Sequence, residues 1–197
     1  IIKIQPRVEK LMTKDGKLRT FITADTDRTD LVAKVYDTTY GLINDTDTLI
    51  VLDDSIVRGT TLRECIFRIL DRLGMKKIIV VSTAPQIRYP DCYGIDMSKK
   101  NEFIAFEAAI SLKIKNKNEK LLEEIYSDAL NDENKSVKNS VNTVKRLYDC
   151  YSADELSKEI TSILTPSSLN AQTEILFQSI EGLSLIHISE PTRQIVI

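Results

Sequence analysis

The sequence predicts an α/β fold: a parallel sheet with helices on both faces and further helices toward the C-terminus. Three observations predict it. Two continuously apolar runs, Leu49-Ile50-Val51-Leu52 and Ile78-Ile79-Val80-Val81, have the length and composition of strands buried on both faces, as parallel strands are. Between them Leu62, Ile66, Ile69, Leu70 and Leu73 recur at helical spacing, so the stretch reads as a βαβ unit, expected to be right-handed. From Ser98 onward, apolar residues keep recurring three or four apart, the mark of helices.

Taken in order, residues 1–18 mix Ile, Val and Leu with Lys and Arg at no clear period. Asp15-Gly16 is a turn signal, and Lys17 to Ile22 reads as a short strand. Residues 23–48 are rich in Thr and Asp. The first apolar run then ends in Asp53-Asp54, and small and hydroxylated residues lead into the helix. Thr61 and Glu64 have capping-box spacing, and Gly74 suits the C-terminal cap. After the second run, Pro85 and Pro90 interrupt regular structure, and Tyr89 to Met97 is expected to form a loop at the same sheet edge.

Beyond this loop Phe103, Phe106, Ala109 and Ile110 share a helical face. Lys113 to Lys120 reads as a charged, solvated linker, and Leu121, Leu122, Ile125 and Leu130 mark a second helix. Asn131 to Lys138 is a polar break, followed by Val137, Val141, Val144 and Leu147 at spacing three to four. Ser152 with Glu155 forms a second capping box, for a helix lined by Leu156, Ile160, Ile163 and Leu164 and ended by Thr165-Pro166. Ala171 to Ile180 reads as a last short helix. These helices carry no evident chemistry and are expected to pack.

The 197 residues, 42% hydrophobic and 28% charged with a net charge of −2, suit one soluble domain with additions. That balance gives no hint of nucleic acid or a membrane surface as partner, and no apolar run reaches the ~20 residues of a membrane span. Cys65, Cys92 and Cys150 are too few and too widely spaced for a disulfide framework or a metal box, which fits a reducing cytoplasm. Cys65 is expected in the core.

The chemistry lies in Asp53 to Thr61. Open parallel sheets bind ligands at the carboxyl ends of their strands, where this stretch falls. The N-terminus of the following helix offers unpaired N–H groups to a phosphate, Gly59 permits close approach, and Thr60 and Thr61 add hydroxyl donors. Two carboxylates would repel a bare phosphate. They make sense if the phosphate is carried on a sugar, with Asp53 and Asp54 taking ribose hydroxyls or facing Mg²⁺. No Gly-x-x-x-x-Gly-Lys-Ser/Thr or Gly-x-Gly-x-x-Gly pattern occurs.

Four apolar residues, two acids and a small-residue loop resemble the phosphoribosyl-pyrophosphate motif of type I phosphoribosyltransferases. Asp53-Asp54-Ser55-Ile56-Val57-Arg58-Gly59-Thr60-Thr61 looks, more narrowly, like the amidophosphoribosyltransferase family. Arg19-Thr20-Phe21-Ile22 and Ala84-Pro85-Gln86-Ile87-Arg88-Tyr89-Pro90 agree, as do Tyr93-Gly94-Ile95-Asp96-Met97 and Glu102-Phe103-Ile104-Ala105. The resemblance implies a partial type I phosphoribosyltransferase sheet over residues 1–112, a C-terminal helical region over 113–182, and a ribose 5-phosphate site at Asp53, Asp54, Ser55, Val57, Arg58, Gly59, Thr60 and Thr61. It implies Mg²⁺ as cofactor, held at Asp53 and Asp54, and phosphoribosyl pyrophosphate as substrate. The implied reaction is formation of phosphoribosylamine with glutamine-derived ammonia, in cytoplasmic de novo purine synthesis. The family's glutaminase domain is not in this sequence, so the chain is expected to be an inactive fragment of an enzyme that is a homo-oligomer at full length. In the family, residues corresponding to 23–48 form a mobile lid with basic residues. Lys34 and Arg28 are present here, but Tyr36 stands where a Lys is expected.

Two alternatives use the same residues. A receiver-type signalling domain would hold Mg²⁺ at Asp53 and Asp54 and phosphorylate a further Asp. A non-catalytic phosphoribosyl-pyrophosphate-binding regulator would share the loop without the Tyr93-to-Met97 segment. Finally, Leu183 to Arg193 resembles the translation of a sequencing-library adapter. Residues 183–197 are therefore expected to lie outside the fold, and His187 within them is given no catalytic role.

Overall fold

The computed structural model describes residue 8 and residues 12–14, 36–38, 41–90, 99–133 and 142–189. Expectations for Asp15-Gly16, Lys17–Ile22, Arg28, Lys34, Cys92, Tyr93–Met97, Val137 and Val141 lie outside these residues. The chain forms two compact units that interleave along the sequence. One comprises Ile1–Leu49, Thr60–Ile78 and Pro166–Gln172; the other comprises Ile50–Gly59, Ile79–Thr165 and Thr173–Ile197.

In the first unit β1 (Met12–Lys14) pairs antiparallel with β2 (Tyr36–Thr38). The helix after the acidic loop runs from Thr60 to Asp71, with a π-helical turn at Leu62–Ile66 followed by α1 (Phe67–Asp71). Of the expected stripe Leu62 and Leu70 are buried, whereas Ile66, Ile69 and Leu73 are half-buried; Phe67 and Cys65 complete the buried face, Cys65 as expected. Gly74, at φ +80°, ends it in the left-handed conformation that glycine tolerates. The Asp71 carboxylate accepts the backbone N–H groups of Asn170 (3.0 Å) and Ala171 (2.8 Å), tying this helix to the approach to the last strand.

Three further strands, β3 (Thr48–Asp53), β4 (Lys77–Ser82) and β5 (Gln172–Phe177), are ordered β3-β4-β5. Their hydrogen bonds advance together, so all three are parallel. Lys76 N–H donates to Asp47 C=O (3.0 Å) and Thr83 N–H to Asp53 C=O (2.9 Å); Gln172 N–H donates to Lys76 C=O (3.0 Å) and Gln178 N–H to Ser82 C=O (3.1 Å). Asp53 thus ends its strand at the carboxyl edge, as expected.

Two readings of these strands are corrected. β3 is not buried on both faces: Ile50 and Leu52 are 61% and 71% exposed, while Leu49 and Val51 are half-buried. β3 is an outer strand of the three, and apolar residues on both its faces hide the period of two. Residues 172–177 are a strand, not part of a helix over Ala171–Ile180. Thr173, Ile175 and Phe177 alternate along it, and pairing with β4 outweighs its ambiguous local pattern.

The second unit holds most of the other helices. Past a 3₁₀ turn at Lys100–Glu102, α2 (Ile104–Lys115) buries Ile104, Ala105, Ala108 and Ala109 and packs most extensively on α5 (Ala153–Leu164). The helices α3 (Glu119–Glu133) and α4 (Lys145–Tyr148) also touch α2. In α5 Leu156, Ile160 and Leu164 are buried as their spacing predicts, and the Ser152–Glu155 capping box is present. The expected linker Lys113–Lys120 is shorter than its charge suggests: residues 116–118 join α2 to α3 and 114–120 are exposed, but Lys113 to Lys115 belong to α2. Lys113 is 3% exposed with its ammonium 4.8 Å from the Tyr151 ring, and Lys115 pairs with the buried Glu159 at 2.7 Å. Glu159 also accepts the Ser111 hydroxyl at 2.6 Å, so the polar residues of α2 fasten it to α5. A last helix, α6 (Ile180–Ser189), follows β5 and spans the expected boundary at Gly182.

Candidate functional site

The acid pair is presented by the ends of two strands. Where β3 stops, the carbonyl of Asp53 accepts Thr83 N–H (2.9 Å), and that of Asp54 accepts Ala84 N–H (3.1 Å) and the Thr83 hydroxyl (3.2 Å). With the main chain fixed, both carboxylates stand exposed at the carboxyl edge. One oxygen of each takes the next amide: Asp54 N–H donates to Asp53 Oδ1 (3.0 Å), and Ser55 N–H to Asp54 Oδ1 (2.6 Å). The second oxygen of each is the natural acceptor for a hydroxyl or donor to a hard cation. Desolvation pushes the Asp53 carboxyl above its ordinary value, the Asp54 amide pulls it back, and the neighbouring Asp54 charge pushes it up again.

The loop beyond the acids is held at several points. Ile56 is 3% exposed and pins its middle. The carbonyl of Val57 accepts the Ile104 N–H, at the first residue of α2, at 2.8 Å. The Arg58 guanidinium donates from Nε (2.8 Å) and from Nη2 to Glu102 Oε2. Gly59 adopts φ +70°, and a Cβ built there would lie 2.6 Å from both terminal carbons of Leu164. Its glycine is therefore required by backbone conformation and by α5, independently of any ligand.

Asp53, Asp54, Ser55, Val57, Arg58 and Gly59 all belong to the second unit, whereas Thr60 and Thr61 open the helix of the first. The capping-box expectation at Thr61 is corrected. Thr61 is itself helical (φ −59°, ψ −40°) and its side chain makes no cap hydrogen bond. The helix starts one residue earlier, right after the left-handed Gly59, so Thr61 is too far inside to cap.

The segment after β4 is anchored by α4 and α5, helices whose own sequences carry no evident chemistry. The Gln86 amide donates to Ala153 C=O and the Ser157 hydroxyl, both at 2.8 Å, and accepts Arg88 Nη2 at 2.8 Å. The Tyr148 hydroxyl donates to Arg88 C=O at 3.0 Å, and the Tyr148 ring meets Tyr89 edge to face at 5.6 Å. Burial raises the Tyr148 hydroxyl pKa well above its ordinary value, so it remains a donor. Ala84–Pro90 is thereby held to α4 and α5, while the rest of the expected loop, residues 91–97, lies outside the described residues.

The sequence reading missed Glu102, Leu164 and Gln86 as determinants of this region. Each acts across tens of residues, and no local periodicity announces such a partner. Among the described residues no group of three or more His, Cys, Asp or Glu is placed to hold a metal. A cation here would rest on Asp53 and Asp54 together with oxygens brought by a ligand or water. Two hard oxygen donors fit that arrangement for Mg²⁺.

The arrangement is an acid pair and a glycine-containing loop at the carboxyl edge of a parallel sheet, the class of site at which α/β proteins bind phosphorylated ligands. Comparison with known proteins narrows the class. No family model matches the chain. Over 58 residues it is 55% identical to the amidophosphoribosyltransferase of Pasteurella multocida, a match covering 29% of this chain and 11% of that protein. Over 89 residues it is 45% identical to the amidophosphoribosyltransferase of Haemophilus influenzae, covering 45% and 17%. A solved glutamine phosphoribosylpyrophosphate amidotransferase from B. subtilis, complexed with ADP and GMP, superposes with a TM-score of 0.44 at 23% identity, over 89% of this chain and 27% of that one. At that score only loose shape is shared. The similarity to amidophosphoribosyltransferases expected from the motifs is thus borne out in sequence, over stretches spanning 11–17% of those two relatives' length.

Proposed function

We propose that the Asp53–Thr61 motif binds the ribose 5-phosphate portion of phosphoribosyl pyrophosphate, and that the chain is part of a pentosyltransferase of the amidophosphoribosyltransferase kind. The observation that carries this reading is the 55% identity over 58 residues to a protein of that name. The site's chemistry supports it. Asp53 and Asp54 accept ribose hydroxyls through the oxygens not engaged by the loop amides. Arg58, Gly59, Thr60 and Thr61 offer N–H and hydroxyl donors to the 5′-phosphate. Ser55 and Val57 set the path of the loop between the two.

The reaction that goes with this reading is displacement of pyrophosphate from the sugar C1 by ammonia. Mg²⁺, bound through Asp53 and Asp54, would supply neutralising charge for the pyrophosphate. The chain's own part is positioning: fixed strand ends hold the sugar, and a rigid loop holds the phosphate. Ammonia from a glutaminase domain, homo-oligomeric assembly, a role in purine synthesis and a cytoplasmic setting all belong to the same proposal. The curated relatives do not favour the receiver-type alternative.

The test is isothermal calorimetry on the full chain with phosphoribosyl pyrophosphate, with and without Mg²⁺. Saturable one-to-one binding that Mg²⁺ strengthens is expected. Heat no greater than that of an equal concentration of inorganic sulfate would overturn the reading.

A further inference from the structure

We infer that Glu102 is a positioning residue for the phosphate loop, acting through Arg58 rather than on the ligand. The inference rests on the sugar-phosphate reading above.

Two consecutive loop residues are attached to the start of α2. Val57 is attached through its carbonyl to Ile104 N–H (2.8 Å), and Arg58 through its guanidinium to Glu102. Both attachments span more than forty residues of sequence, so neither is a local turn. The base they use is rigid. Glu102 N–H is itself held by Lys99 C=O (3.1 Å), and Phe103, Ile104 and Ala105 are all 1–2% exposed. A loop that binds phosphate through backbone N–H groups gains affinity from holding those groups in place beforehand. The Glu102–Arg58 pair supplies part of that hold. It also turns the Arg58 cation toward a carboxylate, which lowers the pull Arg58 would exert on a phosphate directly.

That opposition gives the experiment a sign. If Glu102 positions the loop, losing its charge weakens ligand binding. If Arg58 is instead the phosphate anchor that Glu102 restrains, losing the charge tightens binding. The full chain and its Glu102→Gln, Arg58→Ala and double variants are titrated with ribose 5-phosphate by calorimetry. Amide hydrogen exchange at Ile104 is followed without ligand.

Glu102→Gln is expected to weaken binding about three- to fivefold, the upper range for a partly exposed ion pair. It should quicken Ile104 exchange by a similar factor. Arg58→Ala should match it, and the double variant should be no worse than either single one. Glu102→Asp should recover part of both signals. Tighter binding in Glu102→Gln, or additive losses in the double variant, would overturn the inference. Uptake of ribose 5-phosphate with no response to Glu102 in either signal would overturn it and leave the sugar-phosphate reading standing. No uptake by the unaltered chain, with exchange still answering to Glu102, would overturn that reading and leave the clamp.

Discussion

Leu164, the last residue of α5, occupies the space that any side chain at Gly59 would need. A Cβ at Gly59 would approach its two terminal carbons to 2.6 Å, in a backbone already at φ +70°. The glycine of the candidate phosphate loop is therefore fixed by the fold. Gly59→Ala is expected to lower stability by about 1–2 kcal/mol from the left-handed backbone alone, with displacement of Leu164 adding to it. Urea unfolding of Gly59→Ala in the natural and Leu164→Ala backgrounds checks this. The cost should be smaller in the second background, and equal costs would show that Leu164 does not set the constraint.

Asp53 carries a cost for its position. Desolvation first, and the charge of Asp54, hold its carboxyl above the ordinary value, net of the lowering Asp54 N–H. A raised carboxyl pKa means that the folded chain binds more protons than the unfolded one, so this group's contribution falls as pH rises through its titration range. Asp53→Asn is expected to raise the thermal midpoint slightly at neutral pH and to weaken ribose 5-phosphate binding. Differential scanning calorimetry beside a binding titration separates the two effects. A lowered midpoint would contradict the electrostatic part.

Asp54→Asn should weaken binding of phosphoribosyl pyrophosphate, and by less when Mg²⁺ is omitted. Binding measured with and without the metal decides it. Equal losses under both conditions would remove the metal role and leave the ribose role.

Gln86 fixes the segment after β4 through four hydrogen bonds, two to α5 and two from Arg88. Gln86→Ala is expected to cost about 1–3 kcal/mol, because its partners lose their hydrogen bonds. It should also speed tryptic cleavage after Arg88. Limited proteolysis followed by mass spectrometry reads that bond directly. An unchanged rate would mean that the Tyr148–Arg88 contact alone holds the segment.

The capping box of α5 gives a pH signature. The Ser152 amide and then its hydroxyl bond to Glu155 and hold its carboxyl below the ordinary value of 4.5. A depressed carboxyl stabilises above its unfolded pKa, and the contribution is lost as pH falls through the folded one. Glu155→Gln should therefore narrow the gap to the natural chain as pH drops below about 4.5. Chemical denaturation at pH 7 and pH 3.5 measures it; a gap that widens at low pH would contradict the assignment.

Much of this was legible in the sequence because it depends on local chemistry. The apolar runs gave the parallel strands, Ser152 and Glu155 gave the start of α5, and Asp53-Asp54 gave the strand-end acids. What escaped depends on the tertiary partner. Ile50 and Leu52 look buried until β3 proves to be an outer strand of the three. Residues 172–177 become a strand because β4 is there to pair with. Lys113 looks solvated until Tyr151 meets its ammonium. Glu102 and Leu164 shape the loop from afar; Glu102 stands in a segment that matches the motif pattern, but no local periodicity shows that either residue meets the loop.

The most direct test of the central proposal is two-dimensional amide NMR of the full chain during titration with ribose 5-phosphate in Mg²⁺ buffer. The amides of Arg58, Gly59, Thr60 and Thr61 are expected to shift together and saturably, with Asp54 and Ser55 following. Shifts that never saturate, or that fall on residues away from Asp53–Thr61, would contradict the assignment of this loop as the sugar-phosphate site.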